Sequence, residues 1–209
     1  MIEYNAMDTP TMQLRRDHDV ILKILAAMDA LRSILVTVKS SKSDDHDHDN
    51  DHDNDNDDGI VAIIKDTIDF VKNFTDRCHH GKEEDVLFPA LNSAGIPKEE
   101  GPIAVMLREH KQGREIIESM ESALEEYEQN GNLDYNHIIK GIEGYILLMY
   151  NHIMKENNIL FNIADTILYD KGKDINDAYT KVEYETIESK YEHYKRLAES
   201  LTDRIKTLR

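Results

Sequence analysis

In the stretch Cys78-His79-His80-Gly81-Lys82-Glu83-Glu84-Asp85-Val86-Leu87-Phe88-Pro89, a histidine and a glutamate stand four residues apart inside a segment of apolar periodicity. Positions i and i+4 of a helix share a face, so one turn offers an imidazole nitrogen and a carboxylate oxygen to a single ligand. Two registers fit, His79 with Glu83 and His80 with Glu84. Counting back from His79 by helical spacings meets Thr75, Val71, Ile68 and Ile64, whereas the same count from His80 meets Asp76, Asn73, Asp69 and Asp66. On this pattern His79 and Glu83 face the core and His80 lies on the polar side. A lone pair of this kind is more often a surface hydrogen bond or a satisfied core histidine. Repetition elsewhere in the chain is what changes the reading.

Three further segments carry a histidine on an apolar stripe. From Thr11 to Val38 the stripe is Leu14, His18, Ile21, Leu22, Leu25 and Met28, with Pro10 and a Thr9 N-cap as a reasonable start. The segment with the opening motif spans Gly59 to Leu91 and ends near Asn92-Ser93-Ala94-Gly95-Ile96-Pro97. The next begins between Pro97 and Pro102 and runs to Gln129, with His110 in phase with Ile103, Met106, Leu107, Ile117, Met120 and Leu124. After the turn Asn130-Gly131-Asn132, the segment Leu133 to Tyr169 aligns Ile138, Tyr145, Leu148, His152, Glu156, Ile159, Leu160 and Ile163, which gives a second buried His-x-x-x-Glu. In the tail, Ile187, Tyr191, Tyr194, Ala198, Leu201, Ile205 and Leu208 form a heptad seam, with His193 off it. Such a short seam can make a homodimer through the C-terminal helix or dock on its own bundle, and its length favours docking.

The absence of Trp, only four Pro, and long runs of Glu, Lys, Leu, Ile and Met favour helix over sheet. The expected fold is all-α: an antiparallel up-down-up-down four-helix bundle in residues 1–172, with an additional C-terminal helix in the extension 173–209. Residues 42–58 hold nine Asp and one Lys, nearly half of the net charge of −17, and read as a disordered loop with nothing to bury. An EF-hand fails there: with Gly59 as the sixth loop position, the twelfth falls on Lys65. His46, His48 and His52 can bind divalent metal weakly, but a solvated linker is the stronger reading.

The negative charge argues against nucleic acid and anionic membrane as partners. No apolar run is long enough to span a bilayer, no leader segment is evident at the start, and the single cysteine, Cys78, suits a reducing compartment, so a cytoplasmic location is expected. Cys78 beside His79 reads as a small buried filler before it reads as a soft ligand.

Four inward histidines (His18, His79, His110, His152) and two inward glutamates (Glu83, Glu156) would be costly to bury uncompensated, whereas coordinating cations offsets that cost. The set is too rich for one tetrahedral zinc and suits two metal ions with glutamates bridging them. Nitrogen and oxygen donors without thiolate favour iron or manganese over structural zinc. Open coordination positions on such ions imply small-molecule chemistry.

The motifs Arg16-Asp17-His18, His79 to Pro89, Glu109-His110-Lys111-Gln112-Gly113-Arg114 and His152-Ile153-Met154-Lys155-Glu156 resemble those of the hemerythrin-like (HHE cation-binding) family, over residues 11–170. The resemblance implies a non-haem di-iron centre, two Fe ions with Mn or Zn as alternatives, liganded by His18, His79, Glu83, His110, His152 and Glu156. Oxygen-carrying members place a fifth histidine four residues after the third-helix one and close with His-x-x-x-x-Asp. Here those places hold Arg114 and Asn157. The pattern looks more like the di-iron proteins tied to nitric oxide, oxidative stress and iron–sulfur repair, which often carry an N-terminal cysteine-bearing domain that this chain lacks. Arginine has no lone pair to offer, so one metal is expected to be a ligand short at that place. Arg114 itself reads either as a surface residue paired with Glu118 or as a group reaching the site, and Gly113 as a close backbone approach or an access path.

The expected function is a binding protein whose centre binds or senses O2, NO or peroxide, or handles iron. The alternative is an enzyme, a di-iron peroxidase or NO-reducing protein. A ferritin-like oxidase fits less well, because that class uses Glu-x-x-His pairs.

Overall fold

The computed structural model describes residues 9–44, 53–188 and 190–208. Among these there are six helices and no strand: α1 (Met12–Asp44), α2 (53–93), α3 (Gly101–Asn130), α4 (135–167), α5 (Gly172–Ile187) and α6 (Tyr191–Thr207). Their stripes are largely those of the sequence, with the exception of Ile159 in α4, which is exposed. Leu14, His18, Ile21, Leu25 and Met28 of α1 are all buried. The start of α1 is set by Thr11 and not Thr9: its N–H and hydroxyl donate to the Asp165 carboxylate of α4 at 3.1 and 2.9 Å. Asp134 caps α4 by accepting from the His137 N–H. α3 ends on Gly131 at φ 70°, a left-handed C-cap that only glycine adopts without strain.

α2 carries His79, His80 and Glu83 in π-helical turns, and α4 carries Glu156 in one, with His152 in the α-helix before it. In α2 an α-helical stretch (Asp53–Phe70) leads into π segments Val71–His80 and Glu83–Leu87, then returns to α-helix at Phe88–Ser93. In α4 the π segment is Glu156–Leu160. The Phe88 N–H donates to the Glu83 carbonyl and the Phe161 N–H to that of Glu156, each five residues back. Pro89 supplies a cause in α2, because it cannot donate the next i→i−4 bond and its ring crowds that carbonyl. Single widened turns of this kind cluster at functional sites.

Two apolar clusters form the core. One gathers Ile21, Val71, Phe74, Cys78, Ile117, Met149 and Ile153 among others; the second gathers Leu14, Leu87, Phe88, Met106, Leu160, Phe161 and Tyr179. On every one of α1 to α4 the inward histidines and glutamates fall between residues of the first cluster and residues of the second. The polar layer therefore divides the core into two halves. At the far end from it, a Cβ on Gly141 would come within 2.5 Å of Met120 Cγ, so α3 and α4 approach closely there.

α1 packs on α4 and α6, α3 on α4, and α5 on the two π segments of α2. Two expectations are corrected. The extension holds two helices, not one, because Glu188 turns left-handed at φ 50° and ends α5. Its seam residues Ile187, Tyr194, Ala198, Leu201 and Ile205 are buried within the chain, with α6 against α1 and α2. Of the stretch 42–58 expected as a loop, both ends are helical, since α1 runs to Asp44 and α2 begins at Asp53. The remaining residues, 45–52, with His46, His48 and His52, lie outside the described residues. No described helix is long and apolar enough to cross a membrane.

Candidate metal centre

His18, His79, Glu83, His110, His152 and Glu156 are all buried, and the fold brings them together in two groups that share Glu83. One group is His18, His79, Glu83 and Glu156. The other is His80, Glu83, His110 and His152, and in each the potential ligand atoms lie within 4.8 Å of one another. Both glutamates face both groups. Glu83 has Oε1 3.7 Å from His79 Nε2 and Oε2 3.2 Å from His110 Nε2. Glu156 Oε2 lies 3.1 Å from His18 Nε2 and 3.2 Å from His152 Nε2.

His80 is the residue that sequence reasoning missed. It is buried, and its ring stacks on His110 with centroids 3.8 Å apart. A regular helix with His79 centred on the core would turn His80 by about 100° toward the polar side. The π turns around it reduce the angle between successive side chains, so both neighbours reach the interior. On the stripe of His80, Asp76 and Glu84 line the inner edge of α2 toward α3.

All five rings present Nε2 inward and engage a polar oxygen through Nδ1. His18 Nδ1 lies 3.0 Å from Asn157 Oδ1, His79 Nδ1 3.4 Å from Asp17 Oδ2, and His80 Nδ1 3.3 Å from Asp76 Oδ1. His110 Nδ1 lies 2.7 Å from Glu84 Oε1 and His152 Nδ1 3.1 Å from Glu109 Oε2. Outer acceptors of this kind fix the tautomer with Nε2 free for a cation. Lys82, wholly buried, donates to Asp17 at 3.1 Å and to Glu183 of α5 at 3.0 Å. The extension thus reaches the layer behind His79.

Inside the layer, apart from His18 Nε2 and Glu156 Oε2, which pair with each other, the inward atoms lack partners. His79 Nε2, His80 Nε2, His110 Nε2, His152 Nε2, both Glu83 oxygens and Glu156 Oε1 make no hydrogen bond. Buried polar atoms are almost always satisfied, and here acceptors converge on acceptors, so a cation fits and a hydrogen-bond network does not. Burial holds the His79 pKa down to about 4 and those of His80 and His110 below the ordinary histidine value. Burial and the facing Glu156 carboxylate push Glu83 well up. Burial opposes the charge of His152, but Glu156 and Glu109 outweigh it and raise its pKa to about 9. Neutral imidazoles are the form that ligates metal.

Tyr179 of α5 belongs to the same region and was also missed. It is wholly buried, its hydroxyl has no partner, and burial with the nearby Glu83 carboxylate raises its pKa. Arg114 does not pair with Glu118. Its Nε donates to Asp76 Oδ1 and its Nη2 to Glu84 Oε1, each at 2.7 Å. Near the place where a ligand was expected to be missing, His80 from α2 joins the group of Glu83, His110 and His152. A cavity of about 150 Å3, lined by His80, His110, Gly113, Arg114 and Tyr145, opens beside it. A Cβ on Gly113 would meet only ordinary contacts, the nearest Tyr145 Cε2 at 3.6 Å, so a close backbone approach is not what the glycine serves.

No curated protein and no solved structure matches the chain. The family model of the hemerythrin HHE cation-binding domain matches residues 42–164, which include His79, His80, Glu83, His110, His152 and Glu156 and leave out His18. That family binds a metal ion, most often iron, and the buried histidines and glutamates of α2, α3 and α4 form clusters that could hold one. The chain belongs to the hemerythrin HHE cation-binding domain family.

Proposed function

We propose that this chain binds two non-haem iron ions in an antiparallel up-down-up-down bundle of α1 to α4, and that the pair binds or senses a small ligand such as O2, NO or peroxide. His18 and His79 would hold one ion and His80, His110 and His152 the other, with Glu83 and Glu156 between them. The observation that carries this reading is the division of each ring: every Nδ1 has a polar partner, while the Nε2 atoms of four of the five rings and three of the four glutamate oxygens converge without hydrogen bonds. When bound, a redox-active pair supplies open coordination positions to a small ligand.

The protein's own contribution is the surroundings. Two apolar clusters exclude water above and below the layer, the outer oxygens keep the rings oriented, and burial holds His79, His80 and His110 neutral. The group of His18 and His79 has two imidazoles against three in the other, so it offers more room for an added ligand. The cavity beside His80 and His110 has the size for a diatomic or a small anion. Metal analysis with an optical spectrum of aerobically purified protein tests the reading. Two iron per chain and reversible spectral change on exposure to O2 or NO are expected. Sustained turnover of peroxide or NO would replace the binding reading by the enzyme, and a chain with one metal or none would sink both.

A further inference from the structure

We propose that Arg114 is a positioning residue of the centre: one guanidinium that clamps the two carboxylates orienting His80 and His110, and so fixes the second metal position. The inference rests on the two-metal reading above and deepens it.

Asp76, His80 and Glu84 are spaced by four on α2 and lie along one stripe facing α3. His80 leans on Asp76 Oδ1 at 3.3 Å, and His110, from α3, leans on Glu84 Oε1 at 2.7 Å. Arg114, one turn after His110, donates to those same two oxygens, at 2.7 Å each. The result is a closed chain from ring to ring: His80, Asp76, Arg114, Glu84, His110. The two rings at its ends stack at 3.8 Å with planes 13° apart, so displacing one displaces the other.

Two carboxylates this close to a pair of neutral imidazoles would repel each other without a cation between them. A planar fork suits the task, since it presents Nε and Nη2 at fixed separation to two different acceptors, whereas an ammonium is a single point. The Arg114 side chain is 38% exposed, so truncating it opens no buried void. Its removal acts on the oxygens it holds. The effect falls on the position bounded by His80 and His110 and leaves that of His18 and His79, whose outer partners are Asn157 and Asp17.

The test uses the full chain freed of metal by a chelator and titrated with Co(II), whose visible spectrum reports coordination. The parent should bind two Co(II) per chain. In Arg114→Gln one binding event should weaken by about 10- to 100-fold with an altered spectrum, the other staying at the parent's affinity. Arg114→Lys should resemble the Gln variant more than the parent. In combination with Glu84→Gln the losses should be less than additive, because the arginine acts through that carboxylate. A merely structural role would lower the unfolding temperature and both affinities together, and that outcome overturns the proposal. Parent-like affinities in Arg114→Gln overturn it as well, while a parent binding fewer than two Co(II) overturns the two-metal reading and the clamp with it.

Discussion

Asp17 Oδ2 lies 3.4 Å from Nδ1 of His79, on another helix, although Asp17 is the chain neighbour of His18. The same exchange recurs around the centre. Glu109 precedes His110 and serves His152, Glu84 follows Glu83 and serves His110, and Asn157 follows Glu156 and serves His18. Each ligand-bearing turn thus brings both an inner donor and the outer acceptor for a neighbouring helix. Asp17 also neutralises buried Lys82. Asp17→Ala should therefore lower stability by about 3 kcal/mol through the lysine left short of a partner, and weaken metal binding by about 10- to 100-fold through His79. Urea unfolding and metal titration measure the two losses, and parent values in both would remove the acid from the centre's support.

His80→Ala should lose metal as severely as His79→Ala, since both rings are buried with free Nε2 atoms in one layer. Metal content after purification is the check. Full occupancy in the His80 variant would mean that this ring is a packed core group and that the polar-stripe reading of the sequence was right.

The metal-free protein should be most stable near pH 6.5 and lose stability on both sides. His79, held down to about 4, and His80 and His110, also lowered, stay neutral in the fold while the unfolded chain takes up their protons. Their contribution is lost as pH falls below 6.5, by up to about 1.4 kcal/mol per pH unit for each group. Raised Glu83 opposes this, but it is one group against three. His152, raised to about 9, contributes below its unfolded value and that contribution is lost as pH rises toward 9. Urea titrations in chelator from pH 5 to 9 test the shape. With metal bound, Glu83 and His152 are deprotonated already and the alkaline limb should vanish.

Tyr179→Phe should stabilise the metal-free protein by about 1 kcal/mol, because it deletes a buried hydroxyl without a partner and leaves the ring's packing intact. A loss of stability instead would show that the hydroxyl is hydrogen-bonded in solution.

Replacing His46, His48 and His52 together by Ala should leave two metals per chain, since both groups of donors are complete without them. A fall in stoichiometry, read by metal analysis, would bring the acidic stretch into the centre.

Four amphipathic helices and six of the seven buried histidines and glutamates of the layer were legible in the chain, because a helix repeats its face every three to four residues and that spacing is a property of consecutive residues alone. Chain composition and the stripes through His18, His79, His110 and His152 needed no knowledge of neighbours. What the tertiary structure decided is everything that depends on which faces meet. His80 turns inward only because the backbone widens at the π turns, a local departure from the regular helix that the count from His79 assumes. Asp76 and Glu84 look like a solvated stripe until α3 is laid against them with His110 and Arg114. Lys82 and Tyr179 acquire their places only when α5 folds back over α2, and nothing in the periodicity of either helix specifies that contact, because burial of a charge or a hydroxyl is a relation between segments far apart in sequence.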